Sequence, residues 1–487
     1  MMAGRIRRTI IQLHNFTGSL LSLVLLSWFI SGIVMIFHGF PHAPRESNFL
    51  RLDTFKPVHF KDLQAPPEDF EGRVILELCE DRAVYRLYGK GRAQQLIDAS
   101  SLLPLPPFTE SYARKLCNAC GKGLVSGIQV LEKTDSWIPW SSYNKLLPFY
   151  KCSMDDPGRT VLYVSAVSGE IIQETNRTKR WAARFGAIPH WIYFKKLRLN
   201  VEAWSAVIIV LALLGLVVSI SGLYMGLAFA GKRKGRLSPY KKRWYRWHHL
   251  TGFFFGIFLF TFLISGFFSM VSVPDWMAGV RKKEKIAIRW NQSLDMKGHA
   301  GLTPAAIFNG LEQKEGIRRI EWKTMRGRPS YRVYYDRYRE AVIYTREGEQ
   351  IIKAPPLSTD DVKTYGKSLF GELPFSIEVM QNYDRYYTGS ASRYRPLPIY
   401  RVSVEDAAAS CLYIDPATGE EIRRTNRNSR ISRWLYRALH TLDFPALKRA
   451  EPLRKALLIF LSLGGIALSV TGLVLSFKWF RRKTKRK

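Results

Sequence analysis

The sequence predicts a membrane protein: a four-transmembrane-helix bundle made of two parallel span–domain–span repeats, with two α+β domains on one side of the bilayer. Three observations predict it. Four runs, Phe16–Phe37, Val201–Phe229, Leu250–Val273 and Leu457–Phe477, are apolar over the roughly 20 residues a helix needs to cross a bilayer. Two polar stretches between them, each roughly 160–180 residues, are long enough for a folded domain. The second half of the chain also rewrites the first at a constant offset of 250 residues.

The elements follow in order. Residues 1–38 hold the N-terminus and the first span, 39–198 the first domain, and 199–230 the second span. A basic loop follows at 231–246 and the third span at 247–273. The second domain takes 274–452, the fourth span 453–479 and a basic tail 480–487. The first span follows Arg5, Arg7 and Arg8, as a signal peptide would. Its apolar run is too long for one and no small-residue cleavage pattern follows, so it reads as an uncleaved anchor.

Charge sets the orientation. The net charge is +34, and eighteen basic residues sit in the N-terminus, the loop Ala230–Arg246 and the tail Lys478–Lys487, which hold no acid. Short basic segments beside helix ends stay in the cytoplasm. Both termini are therefore expected inside, with the two domains in the periplasm of a bacterial inner membrane. Spans flanking every basic run make membrane topology, and not nucleic acid, the reason for the charge.

The repeat is explicit in the domains. Leu147–Arg180 matches Leu397–Arg430 without a gap, including Tyr163 with Tyr413, Gly169 with Gly419, and Thr175-Asn176-Arg177 with Thr425-Asn426-Arg427. Each block reads as a β-hairpin. Arg328–Lys353 reads as two further strands around a Glu-Gly turn.

The histidines carry the chemistry. "HNFTG" at His14 and "HHLTG" at His248 put a histidine at the inner end of spans one and three. Ile-Ser-Gly closes both spans. His190 and His440 hold matching places just outside spans two and four, which end in "SISGL" and "SVTGL". One interfacial histidine is ordinarily a headgroup residue, but ionisable groups in spans are costly and tend to be functional. Four in symmetric places predict His14 facing His248 at the inner side and His190 facing His440 at the outer side. Two opposed imidazoles in each of two layers suit two bis-histidine haems b. Gly18 and Gly252, one turn beyond the inner ligands, would leave room for a flat macrocycle. His38 and His249 stand in reserve as ligands, and Arg180, Arg430, Arg243 and Arg246 as contacts for haem propionates. His42, His59 and His299 lack repeat partners and read as surface residues.

Of the five cysteines, four fall in the first domain and read as one or two disulfides, Cys117 with Cys120 a candidate pair, with a zinc site or a redox-active pair as alternatives. The position after Cys120 is Gly121, which excludes covalent haem attachment there. No dinucleotide fingerprint is present, "YGKGRA" at Tyr88 being too weak, so the electron donor is expected to be a quinol or a separate flavoprotein.

The His…Thr-Gly…Ile-Ser-Gly spans, the "LPIYRV…LYIDPATGE" block and the "LH…VTGL" ending resemble the PepSY-associated transmembrane family, over nearly all of the chain. The resemblance implies PepSY-like periplasmic domains on a four-span core, and membership among haem-containing inner-membrane reductases that free iron from ferric siderophores. The aromatic and arginine-rich segments Tyr331–Arg339 and Tyr383–Arg395 are candidate linings for such an acceptor, and a net basic outer face would draw anionic ferric complexes. The alternative is a non-enzymatic scaffold whose PepSY domains bind or inhibit a periplasmic protease. A transporter would want midplane acids or lysines, and the spans offer Ser, Thr and Gly.

Overall fold

The computed structural model describes residues 2–43, 45–89, 94–231, 236–279, 289–389 and 394–484. Parts of the basic loop (232–235), the tail (485–487), "YGKGRA" (90–93) and the segment at 383–395 (390–393) lie outside the described residues.

Four helices are long and apolar enough to cross a membrane: Arg5–Met35, Val201–Phe229, Arg243–Met270 and Glu451–Arg482. Most extend beyond their apolar runs, into basic flanks where Arg and Lys are good helix formers. The first span packs against the second and fourth, and so does the third. The first and third therefore face each other across the diagonal of a square. Leu21, Leu25, Phe29, Val218, Phe258, Leu259, Leu263 and Leu468 fill its middle. Glycines set the approach: Gly215 backs onto Leu263, and Gly464 and Gly465 lie under the rings of Phe255 and Phe29.

Fifteen strands among the described residues form three antiparallel sheets. The first segment gives β1 (Gly72–Cys79), β2 (Arg82–Gly89), β3 (Gln95–Asp98), β4 (Val125–Leu131), β5 (Phe149–Met154), β6 (Val161–Ser165) and β7 (Ile171–Thr175). The second gives β8 (Arg319–Met325), β9 (Arg328–Tyr334), β10 (Ala341–Glu347), β11 (Gln350–Lys353), β12 (Phe375–Met380), β13 (Ile399–Val404), β14 (Cys411–Ile414) and β15 (Glu421–Thr425).

Strands β4 to β7 form one four-stranded sheet and β12 to β15 another, each strand of the second starting 250 residues after its counterpart. The correspondence reaches local detail. Both sheets shift register at the same place, Tyr163/Val164 and Tyr413/Ile414, and Leu147–Pro148 and Leu397–Pro398 are both cis. The shared Thr-Asn-Arg ends each sheet and starts a helix. Asn176 accepts a hydrogen bond from the Lys179 amide, and Asn426 one from Ser429, as N-caps.

The third sheet is what the sequence reading lacks. Its order is β11-β10-β9-β8-β1-β2-β3, so both segments build it, joined where β1 pairs β8. The stretch Arg328–Lys353 supplies three of its strands, β9 to β11, instead of two.

Candidate functional site

The four repeat-equivalent histidines meet in two layers. His14 and His248 lie near the N-terminal starts of the first and third spans, with ring centres 6.2 Å apart. His190 and His440, on short helices Ala187–Trp191 and Leu439–Thr441, have ring centres 6.0 Å apart. His190 and His440 are each followed two residues on by a left-handed residue, Ile192 (φ 53°) or Leu442 (φ 50°). That conformation costs about 1–2 kcal/mol in a residue with a Cβ, and here it ends the short helix ahead of the next span.

One hydrogen-bond arrangement occurs four times. His14 Nδ1 lies 3.1 Å from the Val218 carbonyl and 3.1 Å from Ser221 Oγ. His190 Nδ1 lies 3.2 Å from both the Trp28 carbonyl and Ser31 Oγ. His248 Nδ1 reaches Thr471 Oγ1 at 3.0 Å, and the ring also meets the Leu468 backbone. His440 Nδ1 reaches Ser265 Oγ at 3.0 Å, and the ring also meets the Phe262 backbone. In every case the partner helix offers a carbonyl at one position and a hydroxyl three residues later. Each hydroxyl donates its own hydrogen to a carbonyl of its own helix. Nδ1 must then carry the proton and donate, and Nε2 keeps its lone pair.

A glycine follows every one of these hydroxyls. A Cβ at Gly222, Gly472, Gly32 or Gly266 would stand 3.0, 3.4, 3.5 or 4.0 Å from Cε1 of His14, His248, His190 or His440. Each imidazole therefore rests in a Ser/Thr-Gly notch on a neighbouring helix. The sequence reading used those pairs only as register marks; their signal was recurrence in all four spans. Gly18 and Gly252 have another role. A Cβ there would meet Val218 and Leu468, the residues whose carbonyls accept from His14 and His248, so they allow close helix approach.

Two imidazoles bound trans on one ion, each by a metal–nitrogen bond of about 2.0–2.1 Å, would have ring centres about 6.3 Å apart. Both layers match that separation. Among the described residues no group of three or more His, Cys, Asp or Glu could hold a metal, so a bare ion would find two ligands per layer. The donor set would suit a group that supplies the remaining metal ligands itself. His14 lies seventeen residues before Ser31, as His248 does before Ser265, so the layers stand roughly 25 Å apart along the helices.

Other sequence-based expectations change. His38 is exposed beyond the first span and does not join His190. His249 is buried against Tyr240, ring centres 5.6 Å apart, and His248 alone faces His14. Arg180 donates to Thr175 Oγ1 and the Arg159 carbonyl, and Arg430 to the Ala409 carbonyl, so both brace β-sheet loops instead of reaching toward the imidazoles. Arg243 and Arg246 are exposed at the start of the third span. Cys117 and Cys120 are free thiols, as are Cys79, Cys152 and Cys411; the Cys117 thiol, on the buried face of its helix, meets Cys152. His299 is not a surface residue: burial lowers its imidazole to about 4, and it bonds Tyr331 Oη and the Lys323 carbonyl at 3.1 Å each.

A cleft of about 1600 Å³ opens where the shared sheet meets both four-stranded sheets. Of the expected acceptor segments, Arg332, Tyr334–Arg339 and Tyr394 line it. A family model described as the PepSY-associated TM region matches residues 130–482. Three of the four histidines fall inside the match, and His14 precedes it. No curated protein matches the chain.

Proposed function

The chain belongs to the PepSY-associated transmembrane family, and on that premise we propose that it is a two-haem b oxidoreductase of a bacterial inner membrane. The observation that carries this is the fourfold notch: an imidazole fixed by Nδ1 to a carbonyl and a hydroxyl, opposed by its repeat counterpart about 6 Å away. In this reading His14 and His248 hold the inner haem, and His190 and His440 the outer one. Haem supplies a one-electron ferric/ferrous couple at each layer. The chain's own residues fix the tautomer, aim Nε2 into the gap and raise the basicity of the ligand through the Nδ1 hydrogen bond.

The chain is read as two parallel repeats with both termini cytoplasmic and the sheets periplasmic. The donor is a quinol or a separate flavoprotein. The acceptor is a ferric siderophore held in the cleft; reduction weakens its hold, because oxygen donors favour the harder ferric ion. A protease-binding scaffold would need spans only as anchors, and nothing in that role calls for four notched imidazoles.

The test is a visible spectrum of the detergent-purified protein, oxidised and dithionite-reduced, with a pyridine haemochrome count. Two haems b per chain are expected, and one after either His14→Ala or His440→Ala. A colourless protein from haem-replete cells would sink this reading.

A further inference from the structure

The outer imidazole layer and the cleft are divided by a wall of a few aromatic rings. A cavity of about 260 Å³ beside His190 and His440 is lined by Trp191, Tyr193 and Trp204. On the other side, Trp140 and Tyr143 line the cleft. Tyr193 and Trp140 stand edge to face, centres 6.4 Å apart at 88°. Phe40 closes the gap, 5.8 Å from Tyr193 and 5.4 Å from Trp140, and Tyr143 lies 5.7 Å beyond Trp140. The wall is well fixed: Trp204 Nε1 donates to the Trp191 carbonyl at 2.8 Å, and the Arg198 guanidinium covers both Tyr193 and Trp204.

This wall is written once in a chain that writes its histidines twice. The positions 250 residues after Trp191, Tyr193 and Trp204 hold Thr441, Asp443 and Arg454. The second half carries other rings near its histidine, Tyr436 at 5.6 Å from His440 and Trp434 against Phe444, at positions that do not repeat this wall. These rings give the outer layer an aromatic way out on the side of the first half, and it leads to the cleft between the sheets.

We propose that Tyr193 and Trp140 are bridging residues, through which the outer site passes an electron to an acceptor seated in the cleft. This rests on the two-haem reading. With haem bound, one electron would move per event, the outer iron passing from ferrous to ferric as a docked ferric chelate becomes ferrous, with no bond or proton exchanged at the rings. Contiguous π systems shorten the saturated gaps the electron must cross, which aliphatic side chains of similar bulk would not.

The test uses the full-length, haem-loaded protein in detergent, reduced stoichiometrically and mixed with ferric acetohydroxamate. Trp140→Leu and Tyr193→Leu are each expected to slow reoxidation at saturating chelate by about tenfold, equivalent to roughly 1.4 kcal/mol in the barrier. Trp140→Phe keeps a ring and should restore most of the rate. Haem content, midpoint potential and the half-saturating chelate concentration should stay unchanged. Redox-inert gallium acetohydroxamate should quench tryptophan fluorescence equally in wild type and Tyr193→Leu. Unchanged rates in both leucine variants, with haem intact, would overturn the bridge and leave the haem reading standing. A wild type without haem would overturn both. If Tyr193→Leu alone loses haem, the Trp140 pair decides: a slow leucine variant with a fast phenylalanine variant supports the bridge, and equal rates overturn it.

Discussion

A single hydrogen atom at position 222 lets His14 stand where it does. The four notch glycines form a graded series, with a Cβ predicted to approach Cε1 to 3.0, 3.4, 3.5 and 4.0 Å at Gly222, Gly472, Gly32 and Gly266. Alanine should therefore act in that order. Gly222→Ala is expected to displace His14 and reduce the haem count toward one, because a contact near 3.0 Å forces the ring to move; Gly266→Ala should retain both haems. Pyridine haemochrome counts on the four variants check this, and a loss at Gly266 larger than at Gly222 would refute the notch. The histidines themselves were legible in the sequence because the repeat put them in register. Their partners were not, since Ser221 and Thr471 lie 207 and 223 residues away from the imidazoles they bind, and a Ser-Gly pair in a span has several ordinary uses.

At the scale of elements, the two segments are held together by exchanged charges across β1 and β8. Glu77 on β1 accepts from Arg319 of β8 at 2.9 Å and from Arg86 of β2 at 2.6 Å. Glu321 on β8 accepts in return from Arg73 of β1 at 2.5 Å and from Tyr334 of β9 at 3.2 Å. Burial pushes the Glu321 carboxyl up, but the Arg73 hydrogen bond and the charges of Lys323, Arg73 and Arg332 outweigh it and hold the group at about 2. A folded value below the unfolded one stabilises the protein fully above the unfolded value of 4.5, and that stability is lost as pH falls toward 2. Glu321→Gln should cost about 3 kcal/mol at neutral pH, the low end for breaking a buried pair because Arg73 is half-exposed. It should also flatten the fall in melting temperature between pH 5 and pH 3. A variant with the wild-type acid slope would show that Glu321 is not what titrates. The β6–β7 and β14–β15 hairpins were legible in the alternating pattern of the repeated block, though not the four-stranded sheets they belong to. The β1–β8 seam was not: pairing between Ile75 and Glu321 spans about half of the chain, and neither strand carries a local mark of its partner. Local devices also differ where the repeat agrees. A break at Gly186 precedes His190, whereas a π-helical stretch, Arg433–Ala438, leads to His440, and both deliver the imidazole to the same register.

For the whole molecule, the notches and the layers divide the work between the halves. Each histidine docks onto a span of its own half: His14 on the second, His190 on the first, His248 on the fourth and His440 on the third. Each layer, however, takes one imidazole from either half. A half alone would have two well-held ligands with nothing opposite them, and an open edge on β1 or β8. The chain split within its inter-span loop, as 1–231 and 236–487, should therefore yield no haem from either piece expressed alone. Co-expressed pieces should co-purify and recover close to two haems per pair, because the seam, the square bundle and the opposed rings supply the association. A haem b spectrum from one piece as a monomer would mean that both ligands of a layer come from one half, against the 6.2 Å and 6.0 Å pairings. Co-purification without haem would separate the two claims, leaving the seam as the source of assembly and removing the imidazole layers as the source of cofactor binding.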